Sequence, residues 1–430
     1  MKTVNIKAKI NEGLLDSTLT DFCSVSPAKI ENERARYCNA ADTFNSVYGD
    51  MDGVRLFSVG GRSEISGNHT DHNYGRVIAA SVNLDILAVV APTEDGVVRI
   101  KSEGFPEDVV AEGKCAEPDE SLFFTSAAII AGMQKAFLNA GYKIGGFNAY
   151  TTSNVLKGSG ISSSAAFEVM VGNILNYLYN DGKVSNVEIA KMAQYAENKY
   201  FGKPCGLMDQ TACAVGGFIT IDFADPTSPV IESMDFDLSR EGYSLCIVNT
   251  GGNHADLNED YASVPAEMKS VAKVMGREVL RGLTADDLVA SAAEIRKTCG
   301  DRALLRAFHF VAENERVAAQ VEALKAGDLD AFFRGVIGSG NSSFKFLQNV
   351  YTTKNVAEQG LSLALCITEN YLNDKRAACR VHGGGFAGTI QAFVPSEYTE
   401  EYRTLMDGVF GEGACHVLSV RRAGAVELTF

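Results

Sequence analysis

At 430 residues, 46% of them hydrophobic and 22% charged, the chain is long enough for two domains with substantial cores and has an ordinary globular composition. A net charge of −15 argues against a general nucleic-acid or anionic-membrane surface, so any phosphate ligand must find its positive potential locally. The ten cysteines, from Cys23 to Cys415, include no C-x-x-C pair or zinc spacing; with an N-terminus (MKTVNIKAKINEGLLD) that lacks a signal peptide's apolar core and no apolar run long enough to span a bilayer, this predicts a cytoplasmic protein.

Residues 1 to about 45 read as helical and polar, with no assignable chemistry. From Val54 come strand-like runs: VRLFSVG, RVIAASV, LDILAVVA and GVVRIKS. Between the first two lies GGRSEISGNHTDHNYG, Gly60 to Gly75, which packs Arg62, Glu64, Asn68, His69, Asp71, His72 and Asn73 into one glycine-rich segment. Such short donors and acceptors suit the hydroxyls of a sugar, although a polar loop of this density can also be solvated turns. His69 and Asp71 lack a clear third member and make a weak metal set.

A helix-period stretch, Ser126–Ala140, and an alternating strand, Phe147–Thr152, lead to LKGSGISSSAAFE, Leu156 to Glu168. After Ser162, apolar residues recur at Ala166, Met170, Ile174 and Leu178, one helical face, with serines at the N-cap and first turn. Strand, glycine loop and helix N-terminus in that order make an anion cradle. A dinucleotide fingerprint would need glycine at Ser163, and no glycine-lysine-serine/threonine follows for a Walker loop. By itself the loop reads equally well as a capped helix after a turn. Lys157, just before it, is a candidate phosphate contact or simply an exposed lysine.

A helix over Val187–Phe201 carries Glu197, and CGLMDQTA opens another with Asp209. These two acids suit a metal ligand and a base, or a solvated helix face and an N-cap. The strands GFITIDF and YSLCIVNT follow, then a mostly helical section from about Ala266 to Leu372 with a turn at Ala326-Gly327. RVHGGGFAGT, Arg380 to Thr389, has four glycines in six positions, so its backbone is packed against a ligand or another loop before it enters a strand. HVLSVR is a last strand. The mixture predicts an α+β protein of two intimately joined lobes, with a boundary near residue 225.

Four of these segments resemble, in order, the motifs of the GHMP small-molecule kinases and, within them, the galactokinase branch: VGGRSEISGNHTDHN, GSGISSSAA, AENKYFGKPCGLMDQ and VHGGGFAGT. Weaker similarities lie at RAFHFVAENERV and around Tyr261. The resemblance implies a two-lobed GHMP kinase fold, with an N-terminal mixed-sheet lobe (ribosomal S5-like, residues 1–225, the first 45 a helical extension) and a C-terminal ferredoxin-like lobe (226–430). It implies an ATP-dependent sugar 1-kinase acting on galactose, with Asp209 as catalytic base and Arg62 beside it. Asn68, His69, Asp71, Gly206 and Tyr261 match sugar-binding positions. Lys157, Gly158, Ser159, Gly160, Ile161, Ser162, Ser163 and Ser164 match the triphosphate loop, braced by Gly383 to Gly385. Ser163 and Glu197 match ligands of Mg2+. The implied partners are ATP and a hexose, for a monomer that binds neither nucleic acid nor membrane.

Asn68 stands where the family has glutamate, at a position that faces the sugar; Ser63, Glu64 and His72 replace the usual valine, asparagine and tyrosine. An amide both donates and accepts where a carboxylate only accepts, so the exchange predicts altered hydroxyl recognition or a relative such as galacturonate or N-acetylgalactosamine as substrate. The tyrosine loop has Ala262 and Val264 where asparagine and arginine usually follow. Two other readings are a non-catalytic galactose/ATP sensor and a mevalonate-pathway kinase. The intact SSSAA, Asp209 and Glu197 disfavour the first, and NHTDHN the second.

Overall fold

The computed structural model describes residues 2–106, 108–112, 117–155, 161–203, 205–252 and 257–430. It is an α+β fold on two sheets. The larger, mixed sheet holds β1 (Arg55–Ser66), β2 (Arg76–Thr93), β3 (Val97–Ser102), β4 (Val109–Glu112), β5 (Gly146–Ser153), β6 (Phe218–Asp222) and β7 (Val230–Met234). The smaller, antiparallel sheet holds β8 (Tyr243–Asn249), β9 (Ala378–His382), β10 (Thr389–Pro395) and β11 (Cys415–Leu418), ordered β11-β8-β10-β9. The last strand, β12 (Ala425–Leu428), returns to the larger sheet and pairs with β1, giving the path β12-β1-β2-β5-β3-β4, with β6 on β2 and β7 beyond it. Among the described residues only β3 and β5 are parallel neighbours.

The two strand runs expected at RVIAASV and LDILAVVA are one continuous strand, because Asn83 keeps its place by hydrogen-bonding the Ser419 segment instead of turning. Its alternation sorts side chains to two cores. Ile86, Ala88 and Val90, with Phe57 and Val59 of β1, face the main core under the helices Ser126–Asn139, Ser163–Tyr179 and Asn186–Ala196. Leu87, Val89 and Ala91, with Leu56, face the N-terminal helices Thr3–Asn11, Asp16–Asp21 and Ile30–Tyr48. Covered on both faces, β1 and β2 are buried over most of their length. The polar-looking first 48 residues are thus the outer layer of the sheet, tied down by Ile6, Ile10, Tyr37 and Phe44 and by the buried ion pair of Arg36 with Asp85.

β4, β7, β9 and β12 have no counterpart in the expected elements: each is short, the first three pair with the strand adjacent to them in the chain, and β12 pairs with the distant β1. Among the described residues no helix is long and apolar enough to cross a membrane.

Candidate active site

Two register shifts interrupt the β1–β2 ladder, at Gly60/Arg62 and Glu64/Ser66, and they re-aim the side chains between them. Arg62 meets Asp209 through two parallel bonds, Nε to Oδ1 and Nη2 to Oδ2, both 2.7 Å. This is the fork geometry in which guanidinium and carboxylate interact most strongly. Asp209 sits in the first turn of the helix Met208–Val215, and its second oxygen also accepts Ser162 Oγ at 2.5 Å. Burial favours its protonated form, but the Arg62 charge and the hydrogen bonds outweigh that and hold its pKa below the usual carboxylate range. Arg62 is nearly buried, whereas the Asp209 side chain keeps 34% of its surface exposed and can meet a ligand.

Ser162 is the N-cap of the helix Ser163–Tyr179, as expected, but its hydroxyl does not cap. It adopts a left-handed backbone, φ +58°, which turns the side chain to Asp209. The cradle is drawn against β1 by Gly61: a Cβ there would lie 2.7 Å from Ile161 Cγ2 and 2.8 Å from its carbonyl oxygen. Only glycine allows that approach, and the Arg62 N–H then donates to Ile161 O at 3.0 Å. Beside the helix start lies a cavity of about 560 Å³, lined by Ser163, Ser164 and Glu168 on one side and by Phe105, Phe124, Phe167 and Phe201 on the other.

Glu197 occupies a π-helical turn, Glu197–Phe201, an irregularity that often marks functional positions. Gln210 Nε2 donates to Glu197 Oε2 at 2.7 Å and to Glu168 Oε2 at 3.0 Å, while Lys203 pairs with Glu197 Oε1 at 3.1 Å. Burial first, and the neighbouring Glu197 second, push the Glu168 carboxyl well above the ordinary range. Its Oε1 is buried without a hydrogen-bond partner. Ser163 and Glu168, with its orphan oxygen, line the same cavity, and Glu197 is joined to Glu168 through Gln210; these oxygen groups fit a partly hydrated Mg2+. Among the described residues there is no group of three or more His, Cys, Asp or Glu side chains poised to hold a metal, so most ligands of such an ion would be phosphate and water.

His69 takes a left-handed backbone, φ +57°, and its Nε2 lies 3.0 Å from Gly384 O. Burial lowers its pKa to about 3, so the ring is neutral. Asp71 pairs with His72, Oδ1 to Nδ1 at 2.8 Å, and accepts the His72 N–H at 3.0 Å. Gly206 is where it is because a Cβ would come within 2.6 Å of Asp71 Oδ2. Tyr261 braces the glycine loop: its hydroxyl donates to Gly385 O at 3.0 Å, and a Cβ on Gly384 would lie 2.7 Å from its ring Cε1. Ser63, a departure from the family pattern, bonds His382 Nε2 at 3.1 Å on β9.

Asn68 differs from expectation. It has no exposed surface, and protein groups take all four hydrogen-bonding positions of its amide. Nδ2 donates to Glu64 Oε1 at 3.0 Å and Gly383 O at 2.7 Å; Oδ1 accepts Asn349 Nδ2 at 2.8 Å and Ser343 Oγ at 3.2 Å. Three further residues clamp the same segment and were missed in the sequence. His309 Nε2 meets Asn68 O at 2.9 Å, Glu313 Oε1 accepts the Gly67 N–H at 3.2 Å, and Gln320 Oε1 accepts Ser66 Oγ at 2.5 Å. They share one face of the helix Asp301–Lys325, so the available signal was buried polar residues at helical spacing in RAFHFVAENERV and beyond.

Arg62, Asp209 and Ser162 thus come together, as do Glu197 with Glu168 and the His69–Asp71 segment with Gly206, Tyr261 and the glycine loop. Lys157, Gly158, Ser159 and Gly160 lie outside the described residues.

Residues 127–217 match the model of the GHMP kinases N-terminal domain, and residues 42–92 match the galactokinase galactose-binding signature. A galactokinase of Actinobacillus pleuropneumoniae (serotype 3, strain JL03) is 30% identical over 369 residues, 85% of this chain and 92% of that protein. A galactokinase of Streptomyces coelicolor is 29% identical over 373 residues, covering 86% and 92%. The crystal structure of Lactococcus lactis galactokinase complexed with galactose superposes with a TM-score of 0.75 at 25% identity, over 90% of this chain and 98% of that one. Methanococcus jannaschii mevalonate kinase, at 13% identity, shares the fold with a TM-score of 0.60 over 86% and 99%.

Proposed function

We infer that this chain, which belongs to the galactokinases of the GHMP kinase family, transfers the γ-phosphoryl group of ATP to the anomeric hydroxyl of galactose, giving galactose 1-phosphate and ADP. The observation that carries this reading is the forked Arg62–Asp209 pair beside the start of the helix Ser163–Tyr179, with Asp209 still partly exposed.

Phosphoryl transfer asks for in-line placement and charge stabilisation more than for covalent chemistry by the protein. Asp209 orients the attacking hydroxyl and accepts its proton. Arg62 depresses the basicity of that carboxylate, so its contribution comes from geometry and from charge near the transferring group rather than from proton affinity. Ser162 fixes the second Asp209 oxygen and so its direction. The first turn of the helix offers backbone N–H groups and a positive dipole end to phosphate oxygens. The cavity with its four phenylalanines suits the base of the nucleotide. Ser163 and Glu197, with Glu168, would hold Mg2+, which when bound neutralises phosphate charge. His69, Asp71, Gly206 and Tyr261 are read as the sugar side, the neutral His69 ring giving its Nε2–H to Gly384 O and keeping Nδ1 to accept from a hydroxyl.

The same reading takes the protein as a cytoplasmic monomer, in keeping with described cysteines that mostly pack as buried side chains. It also divides the chain near residue 225, supported by two separate sheets, although β7 and β12 of the larger sheet lie beyond that point.

A coupled ADP-release assay with galactose and Mg-ATP tests the assignment. Galactose-dependent turnover is expected in the parent, with a loss of about 10²-fold or more in kcat for Asp209→Asn. No galactose-dependent ADP release by the parent, or near-parental turnover by the variant, would overturn it.

A further inference from the structure

We propose that Asn68 is a positioning residue, which with Glu64 locks the glycine loop Gly383–Gly385 onto the sugar-side segment and does not itself touch the sugar. This rests on the kinase reading above. The carboxylate that the family pattern places at 68 has an equivalent here four residues earlier. Glu64 Oε1 accepts Arg380 Nη2 at 2.7 Å and Asn68 Nδ2 at 3.0 Å. Both donors converge on one oxygen, so the guanidinium and the amide are neighbours. Arg380 has no exposed surface and a buried guanidinium needs a carboxylate nearby, which Glu64 supplies.

The remaining contacts of Asn68 join segments far apart in sequence. Gly383 O is on the glycine loop, and Asn349 Nδ2, which reaches Asn68, also donates to Gly384 O at 3.1 Å. Ser343 begins a second π-helical turn, Ser343–Leu347, which points its hydroxyl at Asn68 Oδ1. Gly385 closes the lock: at φ +79°, with Asn349 O only 2.0 Å from where a Cβ would be, it admits no side chain. The loop so held is the one against which His69 and Tyr261 rest. Asn68 therefore acts on the sugar through the placement of those two residues. Choice among sugars differing at C6 rests on other groups.

Four variants test this: Asn68→Asp, Asn68→Glu, Glu64→Asn and the exchange Glu64→Asn/Asn68→Glu. Asn68→Asp keeps the shape but faces Glu64 Oε1 and Gly383 O with an acceptor. Hydrogen–deuterium exchange at residues 383–388 is expected to quicken by about tenfold or more, a readout independent of turnover. With galactose and 6-deoxygalactose as paired substrates, kcat/KM is expected to fall by the same factor, leaving their ratio within about twofold of the parent. Asn68→Glu adds a second buried carboxylate and loses activity. The double exchange, which sets one carboxylate beside Arg380 and one amide beside it again, recovers at least about tenfold of that loss.

A tenfold change in the ratio of the two sugars in Asn68→Asp would mean a direct sugar contact and would overturn the proposal. So would unchanged exchange at 383–388, or losses in Asn68→Glu and Glu64→Asn that simply multiply in the double variant. If the parent fails to phosphorylate galactose, the exchange measurement still decides the positioning role, and the kinase reading alone falls.

Discussion

Arg62 holds Asp209 by two N–H···O bonds of equal length, 2.7 Å each, so that the carboxylate plane is set by the guanidinium plane. Lysine keeps the charge but offers one point where arginine offers a fork. Arg62→Lys is therefore expected to lower kcat by about a hundredfold, equivalent to about 2.7 kcal/mol of barrier, with a much smaller change in galactose KM. Steady-state kinetics with both substrates varied would check it; an unchanged kcat would show that charge alone suffices.

Gly61 lets β1 touch Ile161. In Gly61→Ala the new methyl meets the Ile161 side chain and carbonyl, and the bond from Arg62 N to Ile161 O must lengthen. The cradle moves while the sugar-side segment keeps its own clamps. KM for ATP is expected to rise by about tenfold with galactose affinity little altered. Equal effects on both substrates would contradict this division.

Glu168 is a buried carboxyl held well above its ordinary range by burial and by Glu197. The folded protein then binds a proton that the unfolded chain, with a carboxyl near pH 4.3, releases. Stability from this group is present at low pH and declines as pH rises from about 4.3 toward the raised value, by up to about 1.4 kcal/mol per pH unit. In metal-free urea titrations Glu168→Gln should flatten that decline. Calorimetric Mn2+ affinity should fall at the same time, because the orphan oxygen is lost. Unchanged Mn2+ binding would remove Glu168 from the cation site.

The Asp71–His72 pair acts in a different pH window. Burial disfavours the charged ring, but Asp71 outweighs it and raises the His72 pKa; Asp71 itself is held well below the usual range, against its own burial, chiefly by the His72 charge. The contribution of the pair is complete between about pH 3.9 and about pH 6.5, the unfolded values of the two groups; it is lost as pH rises through the raised His72 value and as pH falls through the lowered Asp71 value. Galactose KM should be flat in acid and neutral solution and climb in alkali. In His72→Gln the climb should disappear. A pH profile of KM identical in both proteins would rule the pair out as the cause.

Residues 1–48 cover Leu56, Leu87 and Val89 on the outer face of the larger sheet. Their removal uncovers this apolar face and strips Asp85 of Arg36. The truncated chain is expected to aggregate, or to melt lower by more than about 10 °C, as read by scanning calorimetry. A soluble truncation with the parental melting temperature would make the segment a mere appendage.

Much of the site was legible because its chemistry is carried by contiguous letters. The glycine-serine loop, Asp209 in CGLMDQ and Arg62 in the first motif each keep their neighbours when the chain folds, so a pattern of letters is also a pattern in space. The strands with period-2 alternation were legible for the same reason, since the core selects one face at a time. The four further strands were not, because four- or five-residue segments are too short to show a period; Ala425–Leu428 in addition becomes a strand only when the distant β1 supplies its partners. The partners of Asn68 were hidden for a related reason: its letter states what it can bond, and not which groups lie within reach.

What the sequence determined by itself is the inventory of groups: a glycine-serine loop before a helix, the acids Glu197 and Asp209, and a dense polar segment from Gly60 to Gly75. Only the tertiary structure decided who meets whom. It turned Ser162 from a helix cap into a ligand of Asp209, joined Glu168 to Glu197 through Gln210, and enclosed Asn68 between Glu64, Asn349 and Gly383. The reason is physical. A buried polar group must find partners, and those partners come from whatever elements packing brings near, for Asn68 from a residue 315 positions away in the chain.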